Sequence, residues 1–246
     1  MLDMIETNKL YNECCLKTME RMPDKFIDLS LTSPPYNMRT RIRNGKYTTR
    51  EKSEHFSKKY EHFDDALSID EYYDFHKKVL HELLRVSNIV LWNFAVVTGS
   101  KEAIFKLIGD FNKSIKDIII WDKGHGQPAM HNGCINRASE LILVLEGQEN
   151  AGRTLNHYNF NRGEMDDIWH IKRQRSSNKE HGAVWPGELV EKAVLNFSKE
   201  GSIVYDPFTG TGTTTKIASL NNRKYIGSEI VKEYYEIARD NIKSDE

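Results

Sequence analysis

The sequence has no apolar run long enough to cross a membrane, and its N-terminus lacks the charged-then-apolar pattern of a secretion signal. Its three cysteines, two of them adjacent (Cys14 and Cys15), provide neither a disulfide framework nor the spacing of a zinc site. The formal net charge of −1 is not that of a strongly basic nucleic-acid binder, and there is no internal repeat. These absences predict a metal-free protein of the reducing cytoplasm.

The composition, 39% hydrophobic and 29% charged over 246 residues, suits one large α/β domain or a domain with an insertion. Apolar runs between turn signals predict seven strands, near residues 9–12, 26–31, 89–94, 117–121, 140–145, 202–205 and 224–227. Helical spacing predicts helices at residues 14–22, 69–86, 101–110, 187–198, 213–221 and 232–242. This alternation predicts a mostly parallel sheet with helices on both faces.

A double proline interrupts the chain after the second predicted strand, in the sequence LTSPPYN. Proline has no N–H and restricts the residue before it, so the strand must end there and no helix can begin. The stiff loop at residues 33–36, here called the proline loop, therefore lies at the carboxyl end of a strand, where α/β proteins bind ligands. It presents the Ser33 hydroxyl, the Pro34 carbonyl and the Tyr36 ring at nearly fixed positions. Such a set can hold a planar base through its amino group.

A second ligand-binding pattern lies in the sequence IVYDPFTGTGTT. A strand ends at Asp206, and Gly210 and Gly212 let the backbone pass close to a ligand before a helix begins; residues 206–212 are called the glycine loop. The free amides at the start of that helix favour an anion. Glu229 ends another strand roughly twenty residues later, where an acidic side chain can bind ribose hydroxyls. A tight turn that serves packing alone is the alternative.

The two motifs, in this order, resemble those of the class β amino-methyltransferases of DNA. In that family an SPPY-type motif comes near the N-terminus and a DPFxGxGTT-type motif near the C-terminus. A third segment, HGAVWPGEL at residues 181–189, resembles the family's HPAxFPxxL motif. The opening of the chain also resembles the family's entry into the catalytic strand, although Asn12 stands where Asp is more common. The resemblance implies a Rossmann-like methyltransferase sheet of seven strands with a small inserted target-recognition region.

The resemblance also implies S-adenosylmethionine as the cofactor and assigns its contacts by position. The glycine loop would line the methionine part, Glu229 would hold the ribose and Ile230 would flank the adenine. Trp185 would close over the methionine end, although an ordinary core aromatic is the alternative for this residue. The full set of implied cofactor-binding residues is Asn12, Glu13, Cys14, Thr32, His181, Trp185, Pro186, Asp206, Pro207, Phe208, Gly210, Thr211, Gly212, Thr213, Glu229 and Ile230.

The implied reaction is methyl transfer to the exocyclic amino group of a base. That nitrogen is a poor nucleophile because its lone pair is conjugated with the ring, so the protein must supply hydrogen-bond acceptors and orientation. A base in duplex DNA must also leave the stack, which implies flipping. The implied catalytic residues are Ser33, Pro34, Pro35 and Tyr36. Serine at the first position favours cytosine N4, because SPPY is commoner among the family's cytosine enzymes, while adenine N6 stays open.

Two other classes of protein share parts of this pattern. The NPPY methyltransferases of protein glutamine and RNA usually place the glycine motif before the proline motif, which is opposite to the order here. A catalytically inactive DNA-binding subunit would keep the fold as a scaffold only. The intact residues of both loops favour an active enzyme over that subunit.

The predicted organisation has three parts. Residues 1–122 form the catalytic half with a basic DNA-contacting loop at 39–62, residues 123–180 the target-recognition region, and residues 181–246 the cofactor-binding half. Eight basic and only two acidic residues lie between positions 39 and 59, a composition that fits either a solvated loop or a contact with phosphates. The position directly after the proline loop favours phosphates. The candidate DNA-binding residues are Arg39, Arg41, Arg43, Lys46, His125, Arg137, Arg173 and Arg175.

The expected partner is double-stranded DNA. The resemblance allows two further partners, a second copy of the chain and a cognate restriction endonuclease. It also implies a cytoplasmic protein encoded by a prokaryote or a phage.

Overall fold

The computed structural model of the protein describes residues 4–38, 40–43, 46–49, 67–127, 132–147, 152–173 and 185–243. The strands are β1 (Lys9–Tyr11), β2 (Ile27–Thr32), β3 (Thr40–Arg43), β4 (Lys46–Thr49), β5 (Ser87–Phe94), β6 (Ile115–Gln127), β7 (Arg137–Glu146), β8 (Ile168–His170), β9 (Ile203–Asp206) and β10 (Lys224–Ser228). The helices are α1 (Cys15–Glu20), α2 (Ile69–Val86), α3 (Lys101–Asp110), α4 (Gly187–Phe197), α5 (Thr213–Leu220) and α6 (Lys232–Lys243).

Within these ranges the main sheet has eight strands in the order β1-β10-β9-β2-β5-β7-β6-β8. Neighbouring strands of this sheet pair in parallel, except that β7 runs antiparallel to both β5 and β6. The predicted α/β class with a mostly parallel sheet is confirmed, and each of the seven predicted strands occurs. The eighth strand, β8, falls in a segment interpreted from the sequence as loop. It has only three residues, of which one is buried, so it lacks the apolar run that marks a strand.

The prediction of a long loop after Tyr36 is wrong for two short segments. β3 and β4 pair antiparallel, with Thr40 opposite Thr49 and Arg43 opposite Lys46, and form a second sheet of two strands. Threonine, isoleucine and tyrosine at these positions favour an extended backbone over the loop suggested by the basic charges. Arg39 and residues 50–66 lie outside the described residues.

The start of α2 shows how the sequence determines a helix end. The Ser68 side chain accepts a hydrogen bond from Glu71 N at 3.2 Å, and the Glu71 carboxylate accepts one from Ser68 N at 3.0 Å. This capping box satisfies two amides that have no partner within the helix. The buried face of α2 then repeats at helical spacing and packs against the sheet.

The core has two parts, one on each face of the main sheet. Residues of α1, α2 and α3 form one cluster with side chains of the sheet, and residues of α4 and α5 belong to the other. The second cluster also includes Trp169 of β8, which is fully buried, and Leu155, Phe160 and Met165 pack against it. A section of the predicted recognition region is therefore anchored on the core. No helix in the described ranges is both long enough and apolar enough to span a membrane.

The parallel strands end together, and this arrangement positions the site. The carboxyl ends of β1, β10, β9, β2, β5, β6 and β8 lie at one edge of the sheet, together with the amino end of the antiparallel strand β7. We call this edge the carboxyl edge. Open α/β sheets bind ligands there, and both sequence motifs begin there.

Candidate active site

The proline loop and the glycine loop meet at the carboxyl edge. β2 and β9 are neighbours, and the Thr32 hydroxyl at the end of β2 donates to Asp206 Oδ1 at the end of β9 at 2.8 Å. Both side chains are buried, so water does not compete for this bond. Two segments that lie 174 residues apart in the sequence are thus held side by side.

The glycine loop is held by its own hydrogen bonds. Asp206 Oδ1 accepts from Phe208 N at 3.0 Å, and Gly212 N donates to Thr209 O at 2.9 Å. Gly210 and Gly212 have φ angles of +55° and +88°, which side chains rarely allow. A Cβ on Gly212 would also lie 3.0 Å from Cα and Cβ of Ala238 in α6. The loop therefore requires glycine at position 212 on both grounds.

Glu229 connects the glycine loop to the end of β10. Its carboxylate accepts from Gly210 N and from Val231 N, each at 2.8 Å, and Asn12 Nδ2 donates to its carbonyl at 2.7 Å. Burial raises the pKa of Glu229 to about 7, and the nearby Asp206 adds to that rise. Burial likewise raises the pKa of Asp206 to about 6. Asn12, Glu229 and Ile230 are brought together as the motifs predict, and Ile230 is 47% exposed beside them.

Two other predicted cofactor residues near β1 have local partners. The Glu13 carboxylate accepts from the Thr18 hydroxyl at 2.9 Å and from the Arg21 guanidinium. Cys14 is half-buried beside Cys15, and their hydrogen bond lowers the pKa of Cys14 to about 6. The carboxylate of Glu13 therefore binds a side chain within α1 and the residue that follows its last turn, and its contact with a cofactor stays a prediction.

A cleft of about 480 Å³ joins the third motif to the glycine loop. It is lined by Trp185, Gly187, Thr211, Gly212, Thr213, Lys216, Ile217 and Asn241. Trp185 packs against the second core cluster, as an ordinary core aromatic would. Its buried Nε1, however, has no hydrogen-bond partner among the described residues. An unpartnered donor close to the first turn of α5 fits a carboxylate, such as that of the methionine part of the predicted cofactor.

The proline loop is fixed from several sides. Ser33 Oγ and Tyr36 Oη share a hydrogen bond of 2.9 Å, and the Tyr72 hydroxyl of α2 donates to Pro35 O at 2.8 Å. Asn37, with φ of +56°, follows directly, and its amide nitrogen donates to two backbone carbonyls at 2.9 and 2.8 Å. The loop is therefore anchored on both sides of the double proline.

Three further side chains at this loop were not predicted from the sequence. Tyr36 Oη donates to Glu140 Oε2 at 3.0 Å, Asn93 Nδ2 donates to the same oxygen at 2.8 Å, and Lys123 Nζ donates to Glu140 Oε1 at 3.1 Å. All three newly found residues are buried. Asn93 and Glu140 lie in runs predicted to be buried strands. A buried polar side chain needs a hydrogen-bond partner, so the sequence could have marked these two residues as parts of a polar network.

Aromatic side chains pack around Phe208 of the glycine loop. The ring of Phe208 lies 6.2 Å from the ring centres of Phe75, His76 and Trp92. Burial lowers the pKa of His76 to about 4, so this ring is neutral at physiological pH. The cluster gives Phe208 a rigid, uncharged support.

The predicted DNA-binding residues divide into two groups. His125, Arg137 and Arg173 are exposed and lie on or next to the ends of β6, β7 and β8 at the carboxyl edge. The second group comprises Arg41, Arg43 and Lys46, which belong to the β3–β4 hairpin without described side chains, and Arg39 and Arg175, which lie outside the described residues. His181, predicted to bind the cofactor, also lies outside the described residues. No group of three or more His, Cys, Asp or Glu side chains that could hold a metal ion occurs in the described ranges.

One antiparallel strand in a parallel sheet, with a glycine loop and a proline loop at adjacent strand ends, defines a Rossmann-like methyltransferase. The family model described as "DNA methylase", for N6 and N4 methyltransferases, matches residues 27–240. The chain therefore belongs to this family and is an S-adenosylmethionine-dependent DNA methyltransferase of the cytosine-N4 or adenine-N6 type.

Individual relatives agree with this assignment. The chain is 26% identical to the Type II methyltransferase M.BglII of Bacillus subtilis over an alignment 267 residues long with its gaps. This alignment covers 94% of the chain and 68% of the relative. The structure of PvuII DNA methyltransferase (cytosine-N4-specific) is similar with a TM-score of 0.70 at 16% identity, covering 97% of this chain and 87% of that one. A putative DNA modification methylase from Thermus thermophilus, solved with S-adenosylmethionine, gives a TM-score of 0.62 at 22% identity, with 96% and 95% covered. At these identities the solved structures support the fold.

If Glu229 binds the ribose as predicted, its raised pKa makes the affinity for the cofactor depend on pH. We expect the Glu229 carboxylate to accept hydrogen bonds from the ribose hydroxyls only when it is ionised, and with a pKa of about 7 it holds a proton at pH 6. Affinity for S-adenosylmethionine should therefore fall by roughly tenfold from pH 8 to pH 6, since a proton must leave on binding. Calorimetric titration across this range measures both the affinity and the proton release.

Glu229→Gln is the matched control because its side chain is neutral at every pH. This variant should bind more weakly at pH 8 and show no such pH dependence between pH 6 and 8. A wild-type affinity that is flat over the same range would contradict the role of Glu229.

Proposed function

We propose that the protein methylates the N4 amino group of a cytosine that is flipped out of duplex DNA. The observation that carries this proposal is the hydrogen bond between Thr32 and Asp206. It holds the proline loop, which would bind the base, next to the glycine loop, which would bind the methyl donor. A direct transfer between two bound molecules requires that the site for the methyl donor and the site for the methyl acceptor lie side by side, as these adjacent strand ends do.

In this proposal the glycine loop, Glu229 and Trp185 hold the cofactor. Glu229 accepts from the ribose, while Trp185 Nε1 and the first amides of α5 face the methionine carboxylate. The bound cofactor supplies an electrophilic methyl group on a sulfonium. No metal and no covalent intermediate on the protein are needed for this reaction.

The proline loop acts on the base. Ser33 Oγ and the Pro34 carbonyl accept hydrogen bonds from the amino group, which directs the nitrogen lone pair towards the methyl group and stabilises the developing positive charge. As the N–C bond forms, the methyl–sulfur bond would break and leave a neutral thioether, and the nitrogen would release one proton to water. The Tyr36 ring stacks on the flipped base and keeps it in the site. The contacts of Tyr72 and Asn37 with the loop backbone keep these groups from moving away when the base enters.

The choice of cytosine rests on Ser33. A neutral hydroxyl suits a base whose ring nitrogen is the more basic, and SPPY resembles the motif of the family's cytosine enzymes. The PvuII methyltransferase is named cytosine-N4-specific, but at 16% identity its likeness bears on the fold alone. Adenine N6 is the alternative target.

The expected DNA surface runs along the carboxyl edge. His125, Arg137 and Arg173 are exposed there, and the basic β3–β4 hairpin follows the proline loop. We propose that these residues cross the phosphate backbone and that base recognition lies within residues 123–180. The name of M.BglII, a Type II methyltransferase, supports a restriction endonuclease as a further partner, and a homodimer stays an open proposal.

Nucleoside analysis of modified DNA tests the target base. Duplex DNA incubated with the purified protein and S-adenosylmethionine should yield N4-methylcytosine after enzymatic digestion and mass spectrometry. A parallel reaction without the cofactor gives the background. N6-methyladenine as the sole product would exclude cytosine and establish the alternative.

A further inference from the structure

Behind the proline loop lies a chain of hydrogen bonds that ends in a buried ion pair. We propose that Glu140, paired with Lys123 and acting through Tyr36, orients the Ser33 hydroxyl so that its oxygen faces the target amino group as an acceptor. The inference rests on the function proposed above for Ser33. It makes Glu140, Lys123 and Asn93 positioning residues for methyl transfer.

The ion pair determines the direction of the first hydrogen bond. Lys123 Nζ lies 3.1 Å from Glu140 Oε1, and the two side chains are only 6% and 8% exposed. A carboxylate that forms an ion pair with an ammonium has no proton to donate and can only accept hydrogen bonds. The Tyr36 hydroxyl, 3.0 Å from Glu140 Oε2, must therefore donate its single proton to Glu140.

Asn93 is oriented by the same carboxylate. Only the amide nitrogen can face Glu140 Oε2 at 2.8 Å, because the amide oxygen would be repelled there. That nitrogen has two protons and three neighbouring oxygens: Glu140 Oε2, Tyr36 Oη and, at 3.3 Å, Ser33 Oγ. The longest of these contacts is the weakest, so the protons go to Glu140 and Tyr36. The buried Asn93 Oδ1 is left without a partner among the described residues, a cost that this orientation explains.

The direction of the last bond follows from these two. Tyr36 Oη has given its proton to Glu140 and accepts from Asn93, so its 2.9 Å contact with Ser33 Oγ can only be one in which Ser33 donates. The Ser33 proton then points away from the substrate, and the oxygen lone pairs stay available to the amino group. A serine hydroxyl could otherwise rotate and present its proton to the base, which would oppose the reaction.

A double-mutant cycle on kcat tests this chain of contacts. Glu140→Gln and Tyr36→Phe should each lower kcat for methyl transfer by roughly tenfold or more, because each releases the Ser33 hydroxyl to rotate. Since Glu140 acts through the Tyr36 hydroxyl, the double variant should be no slower than Tyr36→Phe within about twofold. The KM for DNA and the affinity for S-adenosylmethionine should change little. Effects that multiply, or single variants with wild-type kcat, would overturn the proposal.

Glu146→Gln is the matched control for a buried glutamate. It lies at the opposite end of β7, is 1% exposed and accepts from the amides of Asn156 and His157. This variant should lower thermal stability and leave kcat unchanged. A fall in kcat equal to that of Glu140→Gln would mean that any loss of a buried glutamate on this strand slows the enzyme, and would overturn the proposal.

A second variant covers the case in which Glu140→Gln does not fold because Lys123 loses its partner. Glu140→Leu combined with Lys123→Met removes both charges, a change that buried ion pairs often tolerate. It should fold and show the same loss of kcat, and a folded double variant with wild-type kcat would contradict the proposal.

The positioning role of Glu140 and the acceptor role of Ser33 can be refuted separately. Wild-type turnover in Ser33→Ala would refute the acceptor role itself, whereas an inactive Ser33→Ala beside a fully active Glu140→Gln would refute only the positioning.

Discussion

Replacement of Asp206 by alanine should lower the affinity for S-adenosylmethionine by tenfold or more, which is about 1.4 kcal/mol. The reason is structural as well as local. Asp206 Oδ1 accepts from the Thr32 hydroxyl and from Phe208 N, so its loss leaves one buried and one half-buried donor unpaired and releases the glycine loop from β2. These unpaired donors should also reduce the free energy of unfolding by about 2 kcal/mol or more. Calorimetric titration and thermal denaturation measure the two effects.

Asp206→Asn separates the shape of this side chain from its charge. The asparagine carbonyl can still accept from Thr32 and Phe208, so this variant should keep most of the stability. If it also keeps cofactor affinity, the acceptor is sufficient and the negative charge is not used. An Asp206→Ala protein that is folded and binds S-adenosylmethionine like the wild type would exclude Asp206 from the cofactor site.

Ser33→Ala should reduce kcat by roughly a hundredfold to a thousandfold while the affinity for S-adenosylmethionine stays unchanged. The alanine removes one acceptor for the target amino group, and the methyl donor does not use that acceptor. Tyr36→Ala should likewise lose methyl transfer and keep cofactor binding, because it removes the ring that holds the flipped base. Transfer of a labelled methyl group to duplex DNA gives kcat, and calorimetry gives the cofactor affinity.

Ser219→Ala serves as the control for loss of a serine hydroxyl. Ser219 is exposed on α5, away from the proline loop, and its replacement should leave both quantities unchanged. Wild-type turnover in both Ser33→Ala and Tyr36→Ala would place the catalytic loop elsewhere in the chain.

Much of the fold follows from local sequence because its elements are regular. The seven predicted strands are apolar runs between turn signals, and α2 has both a periodic apolar face and a capping box at Ser68. The two loops were found for the same kind of reason. Proline and glycine have backbone consequences that do not depend on the rest of the fold.

The features that the sequence did not predict depend on tertiary contacts. β8 has three residues and is recognisable as a strand only because Ile120, Trp121 and Asp122 of β6 pair with it. The network of Asn93, Lys123 and Glu140 joins three strands, and no local pattern relates those positions. Asn12, Glu13 and Cys14 were assigned together by resemblance. The structure places Asn12 against the Glu229 backbone, whereas the Glu13 carboxylate binds Thr18 and Arg21.

A crystal structure of the protein with S-adenosylmethionine tests the central claim most directly. The claim is that one site at the carboxyl edge holds the methyl donor beside the group that binds the amino nitrogen. The account predicts that the ribose hydroxyls bind Glu229 and that the methionine carboxylate lies near Trp185 and the start of α5. It also predicts that the methyl group points towards the Ser33 oxygen, with the hydrogen bond between Thr32 and Asp206 lying between the two loops. A cofactor bound with its ribose away from Glu229 and its methyl group directed away from Ser33 would contradict it.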